Sequence, residues 1–447
     1  MAMNRIHKIL PLLLALMPIN TLATERLTLD QAVARAEEAS EELRISELDV
    51  AAAGWQADEA ASRRLPQLDF SGQYLYTSEV MSFDQPATMI PLPAPSPPLV
   101  MPGRTTTFGD NHTVDFKLQV TQPLFTGFRL SKAHRAAQHV ISARQAEADR
   151  VRWQVRCRAE EAYVNAQKTS ALRRVAALRV AVLERHLEDA QNRVDQGVSP
   201  QEALDRAQLA LAQARLKQQE ADHADRLAQV ALRELLDLPQ SGEELLLDSL
   251  ELSEPDLEET SWDLARSRRA EFRTLEAQRS AATERIGVEK AAYYPAVGIF
   301  GAVDYGRPGI DKIANEWMLY EVAGVNLSWT IWDWKIRRSR VEQMRAAQGQ
   351  LSESQNALES RVRLELERAE LNVSNVRLRL RVAQQGQELA EKVVEWVRER
   401  YAQGAATEKE FLDAQDDLST SQMDYILGLG DLRLAQISAK LAMGPSF

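Results

Sequence analysis

Two proline-free runs of roughly 70 residues, about 130–196 and 336–403, leave this chain few folds to choose from. Their residues are mostly Ala, Leu, Glu, Gln, Arg and Val, good helix formers apart from Val. At 1.5 Å per residue, each run predicts a helix on the order of 100 Å long. A compact globular domain cannot bury such a rod, whereas a tube or a bundle can. In the second run Ala369, Val373, Val376, Leu380, Ala383, Ala390, Val394, Val397 and Tyr401 keep three-to-four spacing, with Gln387 the polar exception. That sustained period marks a coiled-coil seam.

The rods sit in a longer repeat. Val120-Thr121-Gln122-Pro123-Leu124-Phe125 and Leu327-Ser328-Trp329-Thr330-Ile331-Trp332 both read as a strand end before a helical run, 207 positions apart. The same offset relates Arg193-Val194-Asp195-Gln196-Gly197 to Arg400-Tyr401-Ala402-Gln403-Gly404, and Ala207-Gln208 to Ala414-Gln415. A duplicated supersecondary unit is the reading this order supports. Each rod is expected to turn at Gly197 or Gly404, since Gly suits the left-handed position that ends a helix. Shorter helices return over about 200–236 and 407–441, and half-length helices at about 29–64 and 262–293 run up to Pro66 and Pro295.

Between the half-length and long helices lie strand pairs. Leu68, Phe70, Tyr74 and Tyr76 alternate with Asp69, Ser71, Gln73 and Thr77, and Val114, Phe116, Leu118 and Val120 with Asp115, Lys117, Gln119 and Thr121. In the second half Val297, Ile299, Val303 and Tyr305 share one face, while Val325, Leu327, Trp329 and Ile331 alternate with Asn326, Ser328 and Thr330. Strands with one apolar and one wet face suit a membrane barrel with a watery lumen. Phe125, Phe128, Trp329, Trp332 and Trp334 gather where strands meet long helices, as an interfacial aromatic girdle does. Four strands cannot close a barrel, and open edges are untenable in lipid. Three copies would share 12 strands and six long helices. The loop from about 84 to 109 carries seven prolines and reads as stiff and extended.

Composition narrows the class. Residues 1–23 carry Arg5 and Lys8, an apolar run from Ile9 to Met17, and small residues at Thr21-Leu22-Ala23, the pattern of a secretory signal peptide. No Cys lies near that expected cleavage site to accept a lipid, and the single Cys157 excludes an intrachain disulfide. Cleavage would take the formal charge from −11 to −13, a balance that does not favour nucleic acid. Beyond residue 23 no stretch of about 18 apolar residues exists, so any membrane crossing must be made by a closed barrel. The expected organisation is a signal peptide at 1–23, a first repeat at 24–239 with its strand pair at 67–125, a connecting segment at 240–261, and a second repeat at 262–447 with its strand pair at 295–333.

Taken together, these features resemble the outer-membrane efflux protein (TolC) family. The carriers are the duplicated architecture, Thr121-Gln122-Pro123-Leu124-Phe125-Thr126-Gly127-Phe128 after the second strand, and Arg400-Tyr401-Ala402-Gln403-Gly404-Ala405-Ala406-Thr407 at the second turn. The fold class so implied is an α+β membrane protein. A shared 12-stranded transmembrane barrel would continue as a long α-helical coiled-coil tunnel, built from two internal repeats per chain. The resemblance implies a homotrimer in outer-membrane lipid, with its helical part in the periplasm. Such a duct works passively with a periplasmic adaptor (membrane fusion) protein and an inner-membrane transporter, in efflux or type I secretion, and needs no cofactor.

In that family the helix tips converge on a gate lined by carboxylates. Glu410 and Asp413 match the gate acids and Tyr401 the gate tyrosine, while Ala406 stands where the family has an arginine. In this sequence Asp417 extends the acid stripe at three-to-four spacing beside a seam of Phe411, Leu418, Tyr425 and Leu432. Internal symmetry sets Arg206 opposite Asp413, which suggests that Arg206 pairs with an acid of the second turn. The turns at Gly197 and Gly404 are the expected adaptor contacts.

The rival classes fare worse. No phosphate-binding glycine loop, zinc-protease helix or nucleophile elbow is present. His134 and His139 diverge by about 140° on a helix and cannot share a metal. His186 and His223, isolated among polar helical residues, read as surface positions, and Met81, Met89 and Met101 lack paired ligand spacing, so no metal site is expected. A soluble periplasmic coiled-coil adaptor or scaffold explains the helices but not the amphipathic strands.

Overall fold

The computed structural model describes residues 26–240, 244–250 and 261–445. The expected signal peptide lies outside them, as does part of the expected connecting segment. The chain forms eight α-helices and eight strands among the described residues. Helices α1 (Leu29–Ala39) and α2 (Glu41–Ser62) lead into strand β1 (Gln67–Tyr76). Short strands β2 (Met81–Gln85), β3 (Thr88–Ile90), β4 (Leu99–Met101) and β5 (Arg104–Phe108) precede β6 (His112–Phe125). Helix α3 (Arg129–Asp195) then turns into α4 (Gln201–Leu235). The rest runs α5 (Trp262–Arg268), α6 (Ala270–Lys290), β7 (Ala296–Arg307), β8 (Met318–Ser328), α7 (Ile336–Ala402) and α8 (Glu408–Met443).

Three expectations are corrected. The helix expected over 29–64 is two, because Ser40 adopts extended geometry while its N–H still bonds Ala36 O. The one expected over 262–293 also breaks, at Arg269, whose half-buried guanidinium bonds Glu271 at 2.8 Å and Glu365 at 2.6 Å. The proline-rich loop is not structureless: β2 pairs with β5 and β3 with β4, two small antiparallel ribbons with exposed side chains. In addition β8 ends at Ser328, so Trp329 and Ile331 lie beyond the strand they were expected to extend. Further on, the Asp333 carboxylate takes the Arg337 N–H at 3.0 Å and caps the start of α7.

The described residues divide into two compact units, one drawn from 26–40, 155–240, 244–250 and 369–439, the other from 41–154, 261–368 and 440–445. The second unit contains one antiparallel sheet in the order β1-β6-β7-β8. Its register places Gly72, Phe116, Tyr305 and Leu319 in one cross-strand row, and Phe70, Leu118, Val303 and Glu321 in the next. Because side chains alternate along a strand, these rows share a face with Leu68, Val120, Ile299, Val325 and Leu327, and most of that face is exposed. Glu321 on β8 is its charged interruption. The opposite face carries Asp69, Gln119, Lys117, Asp115 and Asp304, with Lys117 and Asp304 4.0 Å apart. Among the described residues the sheet is open, with β1 and β8 unpaired on their outer edges.

The first unit is helical. On α7, Ala369, Val373, Val376 and Leu380 are buried, and Ala383, Ala390, Val394 and Val397 are half-buried, so the predicted seven-residue seam is the packed side. Tyr163 of α3 is buried to the ring and donates its hydroxyl to Leu27 O at 2.6 Å, tying the N-terminal segment down. The same hydroxyl accepts from Asp248 N at 3.2 Å. No described helix is long and apolar enough to cross a membrane.

Candidate functional site

Both long helices end in the same backbone device. Gly197 N–H bonds Val194 O at 2.9 Å and Val198 N–H bonds Arg193 O at 2.9 Å; Gly404 N–H bonds Tyr401 O at 3.1 Å and Ala405 N–H bonds Arg400 O at 2.8 Å. This is the Schellman arrangement, and it needs a left-handed residue, here Gly at φ +71 in both turns. A Cβ at Gly404 would meet nothing within 4 Å, so the constraint is backbone conformation alone. Gly404→Val should therefore cost about 1–2 kcal/mol locally through the left-handed penalty. Chemical denaturation of the variant should show that loss, and if stability stays unchanged, the turn is not needed as built.

The start of α8 is capped by Thr407. Its hydroxyl receives Glu410 N–H at 3.2 Å, and Glu410 returns a carboxylate oxygen to Thr407 N–H at 2.7 Å. These reciprocal bonds make a capping box. They hold the exposed Glu410 carboxyl below its ordinary range. Of the other expected gate residues, Asp413 pairs with Lys409 one turn back, and Asp417 is exposed. Arg206, expected to reach an acid of the second turn, closes instead on Glu202 of its own helix at 2.7 Å. The i,i+4 spacing makes that contact local and short. Within one chain, then, the acids and Arg206 do not meet.

Tyr401 is the expected residue that the fold draws into a cluster. Its hydroxyl donates to Glu408 Oε2 at 2.5 Å. The other carboxylate oxygen accepts from His186 Nε2. The His186 ring stacks on Phe411 with centroids 4.4 Å apart, and Arg193 covers the Tyr401 ring at 4.6 Å. Sequence reasoning put His186 on the surface; it is only 5% exposed. The signal for this was its helical spacing from Leu183 and Ala190, both buried; the aromatic stack and the carboxylate complete the site. Burial alone would raise the Glu408 carboxyl, but the bonds from His186 and Tyr401 outweigh it and hold it below the ordinary 4.5. Burial, then the bond to Glu408, pushes the Tyr401 hydroxyl up. One carboxylate thus joins α3, α7 and α8. Below it, Val180, Leu183, Leu211 and Ala214 form a core with Leu412 packed against it.

Glu408 was missed, and it lies 222 positions from His186, so no local pattern pairs them. The capping box was legible as Thr407-Glu408-Lys409-Glu410 and was also missed.

The expected aromatics sit at the strand-to-helix corners. Phe125 and Phe128 meet edge to face at 5.6 Å, as do Trp332 and Trp334, and the Trp329 indole donates to Tyr293 O at 3.2 Å. Among the described residues no group of three His, Cys, Asp or Glu could hold a metal.

An exposed apolar sheet face leading into long amphipathic helices is the build of a protein that meets lipid at one end. Residues 32–237 and 262–445 match the family model "Outer membrane efflux protein", and the chain belongs to the outer membrane efflux protein family. It is an outer-membrane channel component of tripartite efflux. Its α+β fold is similar to that of the outer membrane channel CmeC of Campylobacter jejuni, at 16% identity and TM-score 0.74 over 93% of this chain and 85% of that one. It is likewise similar to the outer membrane protein VceC of Vibrio cholerae, at 16% identity and TM-score 0.73 over 93% and 96%. The MtrE outer membrane channel of Neisseria gonorrhoeae aligns at 15% identity and TM-score 0.74 over 93% and 88%. No curated protein matches the chain.

Proposed function

We propose that three copies assemble into one passive export duct, a 12-stranded barrel in the outer membrane continued by a helical tunnel in the periplasm. The observation that carries this is the sheet itself: four strands, an exposed apolar face and two unpaired edges. Unpaired edges are untenable in hydrocarbon, and eight strands is about the smallest barrel known to span it. A stripe on α7 opposite its packed seam adds support. Leu371, Leu378, Val382, Leu389 and Trp396 recur at four- and seven-residue steps and are exposed in the single chain. A neighbouring copy would cover them.

In this reading the two similar orders of elements, in 24–239 and 262–447, are copies of one unit. The turns at Gly197 and Gly404 face a periplasmic adaptor that links the duct to an inner-membrane transporter. Tyr401, Glu410, Asp413 and Asp417 surround the constriction, with Arg206 nearby and Glu408 bracing it. Because Arg206, Glu410, Asp413 and Asp417 are exposed in the single chain, their gating contacts are made between chains.

Mass measurement in detergent, corrected for bound lipid, is expected to give three chains per particle. A stable lipid-inserted monomer would sink this assembly.

A further inference from the structure

We propose that the two strand-to-helix corners form a binding site for the headgroups of anionic phospholipids, in the leaflet on the helix side of the sheet. This rests on the barrel reading above and adds a lipid class and the cations that select it. The corners are brought together by the 3-10 turn Ala291–Tyr293 and the residue after it. Gly127 packs so closely there that a Cβ would lie 2.5 Å from Ala291 O. From the other corner, Arg337 donates to Ala292 O at 3.2 Å and lies 4.9 Å over the Tyr293 ring, beside the Trp329 indole bond.

The backbone at these corners is unusual. Among the described residues, three of the five left-handed non-glycine positions are here: Phe128 at φ 68, Trp334 at φ 51 and Lys335 at φ 79. Bulky side chains seldom take that conformation, and where they do a specific placement is being held. The result is an outward display of aromatics, with Phe128 64%, Trp332 71% and Trp334 83% exposed. Each display is followed at once by cations. Arg129 succeeds Phe128, Lys335 succeeds Trp334, and Arg338 lies in the first turn of α7, which starts at Ile336.

Local acids do not neutralise these three. Asp333 is taken by Arg337 at 2.6 Å, and Glu284 by Lys132 at 3.1 Å and Arg135 at 3.4 Å. Glu342, one turn beyond Arg338, is taken by Arg345 at 2.7 Å. Arg129, Lys335 and Arg338 are exposed, and among the described residues none of their side chains has an ion-pair or hydrogen-bond partner. In a chain of formal charge −11, such a concentration of free cations is a local reversal of sign. Aromatic rings at headgroup depth with guanidinium and ammonium groups just beyond them fit a lipid phosphate. Arg supplies a forked donor for it and Lys a point charge.

The test uses the full-length protein inserted into vesicles of equal parts phosphatidylglycerol and phosphatidylcholine, extracted in mild detergent, with retained lipid quantified by mass spectrometry. Each surface cation strengthens attraction to anionic lipid about fivefold, so wild-type protein should retain phosphatidylglycerol at least about fivefold over phosphatidylcholine. Arg129→Gln with Lys335→Gln and Arg338→Gln should float with the vesicles yet fall to parity. Arg377→Gln with Arg379→Gln and Arg381→Gln, which removes equal charge elsewhere on α7, should keep the enrichment. Parity in the wild type, or full enrichment in the triple corner variant, would overturn the site. Should that variant fail to insert, salt decides: enrichment of the wild type that persists in about 1 M salt would equally overturn it. Wild-type protein that floats with neither lipid would remove the barrel reading and the site together.

Discussion

Phe116→Arg should prevent most of the protein from inserting into lipid vesicles, while Gln119→Arg should insert nearly as well as the wild type. The two positions are three apart on β6 and face opposite sides of the sheet. Phe116 lies in the row of Gly72, Tyr305 and Leu319 and stacks on Phe70 at 6.4 Å. Gln119 shares the other face with Asp69 and Ala302. An arginine on the lipid side of a barrel costs about 2–4 kcal/mol near the bilayer midplane, whereas a lumen position tolerates charge. The lost aromatic pair adds about 1 kcal/mol. In a trimer the penalty is taken three times, which is comparable with the whole stability of an ordinary fold. The measurement is the fraction of protein resistant to urea extraction after mixing with preformed vesicles. Equal insertion of the two variants would mean that the apolar face does not meet lipid.

The second large effect is expected at the cluster that sequence reasoning did not find. Glu408→Ala should loosen the first turns of α8 from α3 and α7. The carboxylate accepts from both His186 and Tyr401, and the side chains of His186 and Glu408 are 5% and 11% exposed. Removing one partner of a pair this deeply placed costs about 3 kcal/mol, because the other is left without its bond. Amide hydrogen exchange over residues 408–418 should then quicken about a hundredfold. Tyr401→Phe, which removes one donor, should cost only about 1 kcal/mol. If exchange in Glu408→Ala matches the wild type, the cluster does not brace the tip.

Acid should have a related effect, with a definite sign. The folded Glu408 carboxyl titrates below its ordinary 4.5. Its stabilising contribution is therefore complete above about that pH and is lost as pH falls through the folded value. In planar bilayers the wild-type tip should loosen only on the acid side of that window, and Glu408→Gln should lose this part of the dependence.

Much of the secondary structure was legible because it is periodic over long stretches. Absence of proline and a seven-residue apolar pattern predicted rods over 130–196 and 336–403, and the helices run from Arg129 to Asp195 and from Ile336 to Ala402. Gly197 and Gly404 announced the turns because left-handed backbone leaves few alternatives to glycine. Strand faces followed from alternation, and the family from the order of these elements. Each of these signals is local, so the sequence alone determined it.

What the sequence could not decide depends on residues far apart in the chain. His186 was read as a surface residue beside Glu184 and Arg185, although Leu183 and Ala190 at helical spacing lie on the buried side; Phe411 and Glu408 complete its burial from 225 and 222 positions away. Within one chain Arg206 is held by Glu202, one helical turn back, over a shorter distance and at lower entropic cost than a reach to the second turn. The corner cations likewise gained meaning only when the turn at 291–294 drew the two strand ends together. Local periodicity specifies which elements form, but burial and pairing of polar groups are decided by which elements meet, and that is a property of the tertiary structure alone.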